Sequence, residues 1–450
     1  MRRVNLIIAF AATIISCGAS ESTELISDVE DSESESTTVL ATHYVSSAEE
    51  LDELDDLVAS DVVVWRSGTY NDEIVKYSGS ATLMAEKDGE VVFTGESYMI
   101  ISGTNATIRG FKWDNPTPVS GKPIIKLNSG SSNCKVEECV IIGSNLNLDP
   151  DTDTKWVSLY GTQHSVCNCS FIDKRNIGTT FVVWFEEGVT PNHTIENNYF
   201  TRPQTIEDDD GSATNGQETI RIGTSDWSMS SGECTVRGNH FHNCHGERAE
   251  IISNKSCDNL YEENLFTESM GTLTLRHGND CIVRNNYFIG EGMSSSGGVR
   301  IIGEGHTVED NYMESLMGDN YTSSICIVRG EEDAELSGYW QVKDAMISGN
   351  TIVDCNVGIT SNYGARSTMT MAVITTTVSN NTIIMSSEKD YSIYNITSPE
   401  PDITWIDNMI YSGRELGVDL PTLTTMPSYT RPTNQIESII ATAGASYYEK

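Results

Sequence analysis

The sequence predicts an all-β fold, a single-stranded right-handed parallel β-helix with an N-terminal capping helix. Three observations predict it. One short pattern recurs along most of the 450 residues, the segments carrying it alternate apolar and polar residues without a helical period, and a Ser-capped acidic stretch stands just before the first of them.

The repeat is an apolar residue, two variable residues, Asn, one variable residue and a large apolar residue. It reads Ile195-Asn198-Phe200, Val236-Asn239-Phe241, Tyr261-Asn264-Phe266 and Val283-Asn286-Phe288. It continues as Val308-Asn311-Met313, Ile347-Asn350-Ile352, Val378-Asn381-Ile383 and Trp405-Asn408-Ile410. Two earlier copies carry Cys for Asn, Val136-Cys139-Ile141 and Val166-Cys169-Phe171, and Ile108-Phe111-Trp113 is a degenerate first copy. Successive Asn-equivalent positions lie 22 to 41 residues apart. That period suits the turns of a parallel β-helix, where like residues stack about 4.8 Å apart. The Asn is expected to take a left-handed conformation at a corner and to bond to the next Asn along a ladder. Variable spacing places the insertions in loops, where a groove wall would be built.

Ser46 to Leu57 supplies the capping helix, with Ser at the N-cap and Glu49 and Glu50 in the first turn. It would cover the unpaired edge of the first turn. Strands start with Asp61 to Trp65 and Gly68-Thr69-Tyr70. The helical domain is expected over residues 41–410, with a C-terminal cap or tail over 411–450. Arg2 and Arg3 precede an apolar run from Leu6 to Ile15 that is too short to span a bilayer, and the run ends in Ser16-Cys17. Residues 1–17 therefore resemble a bacterial lipoprotein signal, with the lipid anchor on Cys17 and an exported protein at the outer membrane, cell surface or periplasm. An ordinary signal peptide with an incidental Cys is the plainer reading. Residues 18–40, rich in Ser, Thr, Asp and Glu, read as a solvated tether.

A net charge of −37 argues against nucleic acid as a partner, while leaving room for an anionic ligand in a locally basic groove. The ten cysteines after Cys17 match no zinc pattern; most fall at repeat positions and read as buried thiols, and no disulfide is assigned.

Such a groove has candidate residues. Four consecutive turns carry Asn215 to Gly223, Glu247 to Ser256, Leu273 to Gly278 and Gly297 to His306. Lys255, Arg276 and Arg300 are 21 and 24 residues apart, about one turn each, and are expected within a residue of common register. A lone strand Arg usually pairs with a nearby carboxylate. Three cations on adjacent turns, interleaved with Asn, Glu and His, read instead as a cradle for sugar carboxylates.

These segments, above all Ile251-Ile252-Ser253-Asn254-Lys255-Ser256 and Leu275-Arg276-His277-Gly278, resemble polysaccharide lyase family six, which contains alginate lyases and chondroitinase B. The likeness spans about residues 41–410. It implies that Lys255 is the base and Arg276 the acid of a β-elimination, that Arg300, His277 and Arg221 contact substrate, and that Asn215 and Glu250 are calcium ligands. The chemistry fits these residue types. The C5 proton of a 4-linked uronate is very weakly acidic until the neighbouring carboxylate is neutralised by a metal ion or an Arg. A Lys acts as base only when neutral, which an adjacent cation favours. Arg276 serves as a charge stabiliser at least as well as a proton donor, with His277 or water giving the proton.

One departure from the family stands out. Its calcium-binding members carry Glu-x-Glu, where this chain has Glu247-Arg248-Ala249-Glu250. Either Glu247 reaches a calcium ion through a one-residue bulge, or Arg248 takes the ligand position and replaces the ion's charge. Alginate is the expected substrate and chondroitin or dermatan sulfate the alternative within the class. A non-catalytic β-helix that binds carbohydrate at the cell surface is the alternative outside it. A glycoside hydrolase would need paired carboxylates, and Glu207-Asp208-Asp209-Asp210 reads as a loop.

Overall fold

The computed structural model describes residues 41–144, 148–385, 391–412 and 416–450; the signal and tether expected over 1–17 and 18–40 lie outside them. The described strands form three parallel sheets of 14, 13 and 12 strands, and each turn of the chain adds one strand to each sheet. The first sheet starts with Thr42–Val45, the second with Gly68–Asn71 and the third with Ile74–Tyr77. The architecture is that of a right-handed parallel β-helix.

The repeat Asn forms the expected ladder. From Asn198 through Asn239, Asn264, Asn286, Asn311, Asn350 and Asn381 to Asn408, each side-chain amide donates to the next Asn Oδ1 at 2.9–3.0 Å. Each backbone N–H donates to the same oxygen at 2.9–3.1 Å. The left-handed residue is not the Asn but the one before it: Asn197, Gly238, Glu263, Asn285, Asp310, Gly349, Asn380 and Asp407 all have positive φ. That turn aims the following Asn inward, where its full hydrogen-bonding capacity is needed. Beside the ladder Phe171, Phe200, Phe241, Phe266 and Phe288 stack at 4.6–5.0 Å. Cys139 and Cys169 continue the corner, and all ten described cysteines are buried and free.

The capping helix is shorter than the sequence suggested, Ala48–Asp52, with Ser47 Oγ accepting from Glu50 N–H. Leu51 is buried, and Leu54 and Leu57 still pack against the core from beyond the helix. At the other end, Leu416, Val418 and Leu420 pack on the core. The chain then reverses along the second sheet. Arg431 pairs with Glu314 at 2.6 Å, and helix Thr433–Thr442 buries Ile436 and Ile439 against Leu265, Ile289, Tyr312 and Val353. Past it, Gly444 N–H donates to Asn197 O, Ala445 N–H to Ser170 Oγ and Ser446 N–H to Glu138 Oε2. The C-terminal segment is thus a strap laid back over much of the helix.

Candidate active site

Inward positions on the third sheet (Ile220, Ile222, Ile252, Leu273, Leu275, Val299, Ile301) belong to the core, so the residues between them face outward. One outward row runs Lys126, Ser158, Val182, Arg221, Ser253, Thr274, Arg300. The next row brings Gly223, Lys255 and His277 side by side. Arg300 is therefore level with Ser253, two residues from Lys255, rather than within one residue of it. Arg276 falls at a register shift, since Asn254 pairs with Leu275 while Lys255 pairs with His277. The extra residue puts His277 in register with Lys255 and leaves Arg276, one residue before it, to reach the Ser337–Tyr339 segment.

Two glycines shape this spot. Gly223 has φ +83, and a Cβ there would lie 2.6 Å from Lys255 O; Gly278 has φ +85, and a Cβ would meet the Ser256 backbone at 2.2 Å. Beneath the strands, Asn254 Nδ2 donates to His277 O and Ser256 O, both at 2.8 Å, while its Oδ1 accepts from Tyr261 Oη at 2.7 Å and Asn259 Nδ2 at 2.8 Å. This buried network fixes the backbone that carries Lys255 and His277.

Lys255 is half-buried, and its amine has no hydrogen bond or ion pair among the described residues. His277 is 2% exposed, and neither ring nitrogen has a partner. Burial first, then Arg276 and Lys255, lower its pKa to about 3. It is a neutral imidazole at ordinary pH. Arg276 Nη1 donates to Gly338 O at 3.0 Å and Nη2 to Ser337 O at 3.3 Å, and its guanidinium lies 4.2 Å from the Tyr339 ring centroid. Burial lowers its pKa, with Arg300 and Arg366 adding to the effect.

Beside these cations lies an acid cluster. Carboxylate oxygens of Glu218, Glu247 and Glu250 come within 4.8 Å of one another. Burial, then Glu218 and Glu250, push Glu247 up to about 8. Its Oε2 accepts from Gly216 N–H at 2.9 Å and Gln217 N–H at 3.4 Å, on the loop where Asn215 is exposed. Glu247 stands with the other carboxylates from a turn that precedes the strand Glu250–Lys255. Arg248 takes φ +62 and turns outward to pair with Glu207, so it does not stand among the carboxylates. The cation that does is Arg300, paired with Glu250, each side chain only 8% exposed. Arg202, buried on the second sheet, lies near Glu218 and Glu247 from behind. Three hard oxygen donors in this spacing fit a calcium-like ion.

Arg221 lies 5.2 Å from the Trp184 ring, Trp184 stacks on Tyr160 at 5.8 Å, and Lys126 lies 4.7 Å from the Tyr160 ring. Glu218, Tyr339 and this aromatic pair were not singled out from the sequence. Glu218 stood inside the Asn215–Gly223 segment, and the separation of 39 positions from Asn311 to Asn350 marked the insertion that carries Tyr339.

A family model, Chondroitinase B, matches residues 45–417. No curated protein matches. Among solved structures, the family 6 alginate lyase AlyGC is 29% identical over 90% of this chain, with a TM-score of 0.78; the match covers 57% of AlyGC, so this chain spans little more than half its length. A mannuronic-acid-specific family 6 lyase from human gut microbiota is 24% identical over 91% of this chain and 97% of that one, with a TM-score of 0.79. The family 6 lyase Pedsa3628 of Pseudopedobacter saltans is 22% identical over 90% of this chain and 100% of that one, with a TM-score of 0.72. At those identities the latter two attest the fold. The chain belongs to the chondroitinase B family, polysaccharide lyase family 6.

Proposed function

We propose that this protein is a polysaccharide lyase that cleaves a 4-linked uronate polysaccharide, alginate first, by β-elimination. The observation that carries the reading is an unpaired, half-buried amine, Lys255, in register with an unpaired neutral imidazole and beside a fixed guanidinium. The alginate lyases among the solved structures favour alginate, and the Chondroitinase B match makes dermatan sulfate the second substrate to test.

Lys255 Nζ takes the C5 proton. The site accumulates positive charge around the sugar carboxylate, which stabilises the carbanion-like transition state. Arg276, held by two carbonyls and a ring, faces the departing O4 as a fixed cation, and water delivers the proton. His277 contributes hydrogen bonds from a neutral ring, while Arg221 and its stacked neighbours hold the adjoining sugars. Glu218, Glu247 and Glu250 would hold calcium, whose charge would neutralise the uronate carboxylate. Asn215 is a further oxygen donor on the adjoining loop. Calcium titration by calorimetry should detect one site in the wild type and none in Glu218→Gln; equal heats in both would remove the metal from this account.

The test of the activity is the ultraviolet absorbance of the unsaturated product on alginate, its mannuronate and guluronate blocks and dermatan sulfate. Absorbance on none of them sinks the proposal and leaves a carbohydrate-binding β-helix. We also propose export with a lipid on Cys17, supported by the Arg2 to Cys17 pattern. Loss of fatty-acid labelling in Cys17→Ala is the expected result, and an unlabelled wild type would refute it.

A further inference from the structure

Along the third sheet the outward face changes character immediately past the catalytic cations. In the Arg221–Arg300 row, the next residues are Cys326 and Thr360. In the neighbouring row, Ile302 and Val328 follow. All four are 0–1% exposed. Their cover is not the side chains of a groove floor but a small separate core, in which Ile302, Cys326, Val328 and Met369 pack with Tyr339, Trp340 and Tyr363. Thr360 is further closed in by Ser323, whose hydroxyl bonds to it at 2.8 Å.

The covering segments are braced against each other. Gly330 and Met371 form an antiparallel bridge, and Glu331 accepts from Tyr339 N–H at 3.1 Å and from the Thr368 hydroxyl at 2.6 Å. This is a rigid wall, not a loose loop. In the opposite direction the same face stays open: Arg221, Trp184, Tyr160 and Lys126 are all partly exposed and lie in line over successive turns.

We infer that the wall of Tyr339, Trp340, Tyr363 and Met369 ends the sugar-binding groove about one turn (~4.8 Å) beyond the reacting unit, so that the enzyme trims a fixed short fragment from one chain terminus. This rests on the lyase reading above and adds its mode of attack. A polymer laid along the Lys126–Arg221 side has room for several units there, but on the wall side it meets packed aromatic rings. Cleavage therefore occurs only where the chain ends at the wall. The wall also explains why one insertion serves two purposes. Its carbonyls at Ser337 and Gly338 hold Arg276, and its rings set the product length.

The experiment follows long alginate with the wild-type protein, reading absorbance of unsaturated ends, viscosity and the size of the earliest products. The expected result is a single short product from the first time points, with absorbance rising well before viscosity falls. In Trp340→Ala, whose indole N–H reaches only Glu335 O at 3.1 Å, the earliest products should lengthen. A broad ladder of sizes with early viscosity loss in the wild type overturns the inference. So does a folded Trp340→Ala with unchanged product sizes. If that variant does not fold, Met369→Ala replaces it, and the wild-type size distribution decides in any case. No unsaturated product from any uronate polymer refutes the lyase reading itself, whereas random cleavage refutes only the wall.

Discussion

The corner of the helix that carries the asparagine ladder and the outward face of the third sheet are built from the same turns, yet they are opposites. At the ladder every Asn Oδ1 from Asn239 to Asn408 accepts two hydrogen bonds, and the stacking repeats without a break. On the outward face the repeat is broken. Of five register shifts among the described strand pairs, four fall on the third sheet, and the fifth places Arg202 behind the acid cluster. Five of the fifteen buried polar atoms without partners among the described residues lie around this one spot: Arg221 Nε, Ser253 Oγ, both nitrogens of His277 and Arg300 Nε. Satisfied polar groups stabilise the fold, while unsatisfied ones are capacity held for a ligand. The regular corner supplies the rigidity that lets the irregular face keep its groups unpaired.

Four experiments would break or sharpen that contrast, the largest effect first. Lys255→Ala should lower turnover by about 10³-fold or more, the scale of a lost general base, with an unchanged denaturation midpoint. Near-wild-type turnover, or a large loss of stability, would end the assignment. Asn286→Ala should do the reverse. It removes bonds to Asn311 Oδ1, Tyr261 O and Arg284 O and leaves buried partners unmet, at a cost of about 3 kcal/mol in urea unfolding, with activity kept in the cold. A cost below about 0.5 kcal/mol, an ordinary surface value, would show that the ladder is not the reservoir.

The third concerns pH. Burial lowers His164 and His306 to about 4 and His240 and His277 to about 3. Their folded values lie below the unfolded 6.5, so the stability they contribute is complete above pH 6.5. It is lost as pH falls from there toward 4 and 3, by about 1.4 kcal/mol per histidine per pH unit. Unfolding midpoints measured from pH 7 to 5 should fall accordingly. His306→Gln, at a ring that bonds Cys281 N–H and Ile302 O, should reduce the slope by one proton, and an unchanged slope would contradict the burial argument. The smallest effect belongs to Trp184→Ala, which removes the ring between Tyr160 and Arg221. KM should rise about fivefold, with kcat unchanged, on long substrates; a kcat effect alone would move Trp184 into the chemistry.

The same contrast explains what the sequence made legible. A ladder needs one residue type at one place in every turn, so Asn198 through Asn408 announced both the fold and its corner. Only the left-handed residue was misplaced, because Gly, Asn, Asp and Glu all serve there and no single letter marks it. Lys255 and Arg276 were legible from turn spacing. The Arg300–Glu250 pair was not, because it joins residues two turns apart whose alignment depends on register shifts that leave no pattern in the letters. Glu218 was hidden for a similar reason: it acts just outside its strand, where alternation no longer says which way a side chain points. The insertion bearing Tyr339 showed its length but not the direction in which it folds.

The returning C-terminal strap has a consequence for how this molecule comes apart. Stacked-turn proteins behave as linear arrays whose ends can unzip locally, each unit answering only to its neighbours. Here the segment that closes the far end is also bonded to Asn197, Ser170 and Glu138, midway along the stack, which ties the turns between them into a loop of interdependent contacts. Fraying of the far end then requires the strap to peel away first, so the strap shields the stacked turns it spans.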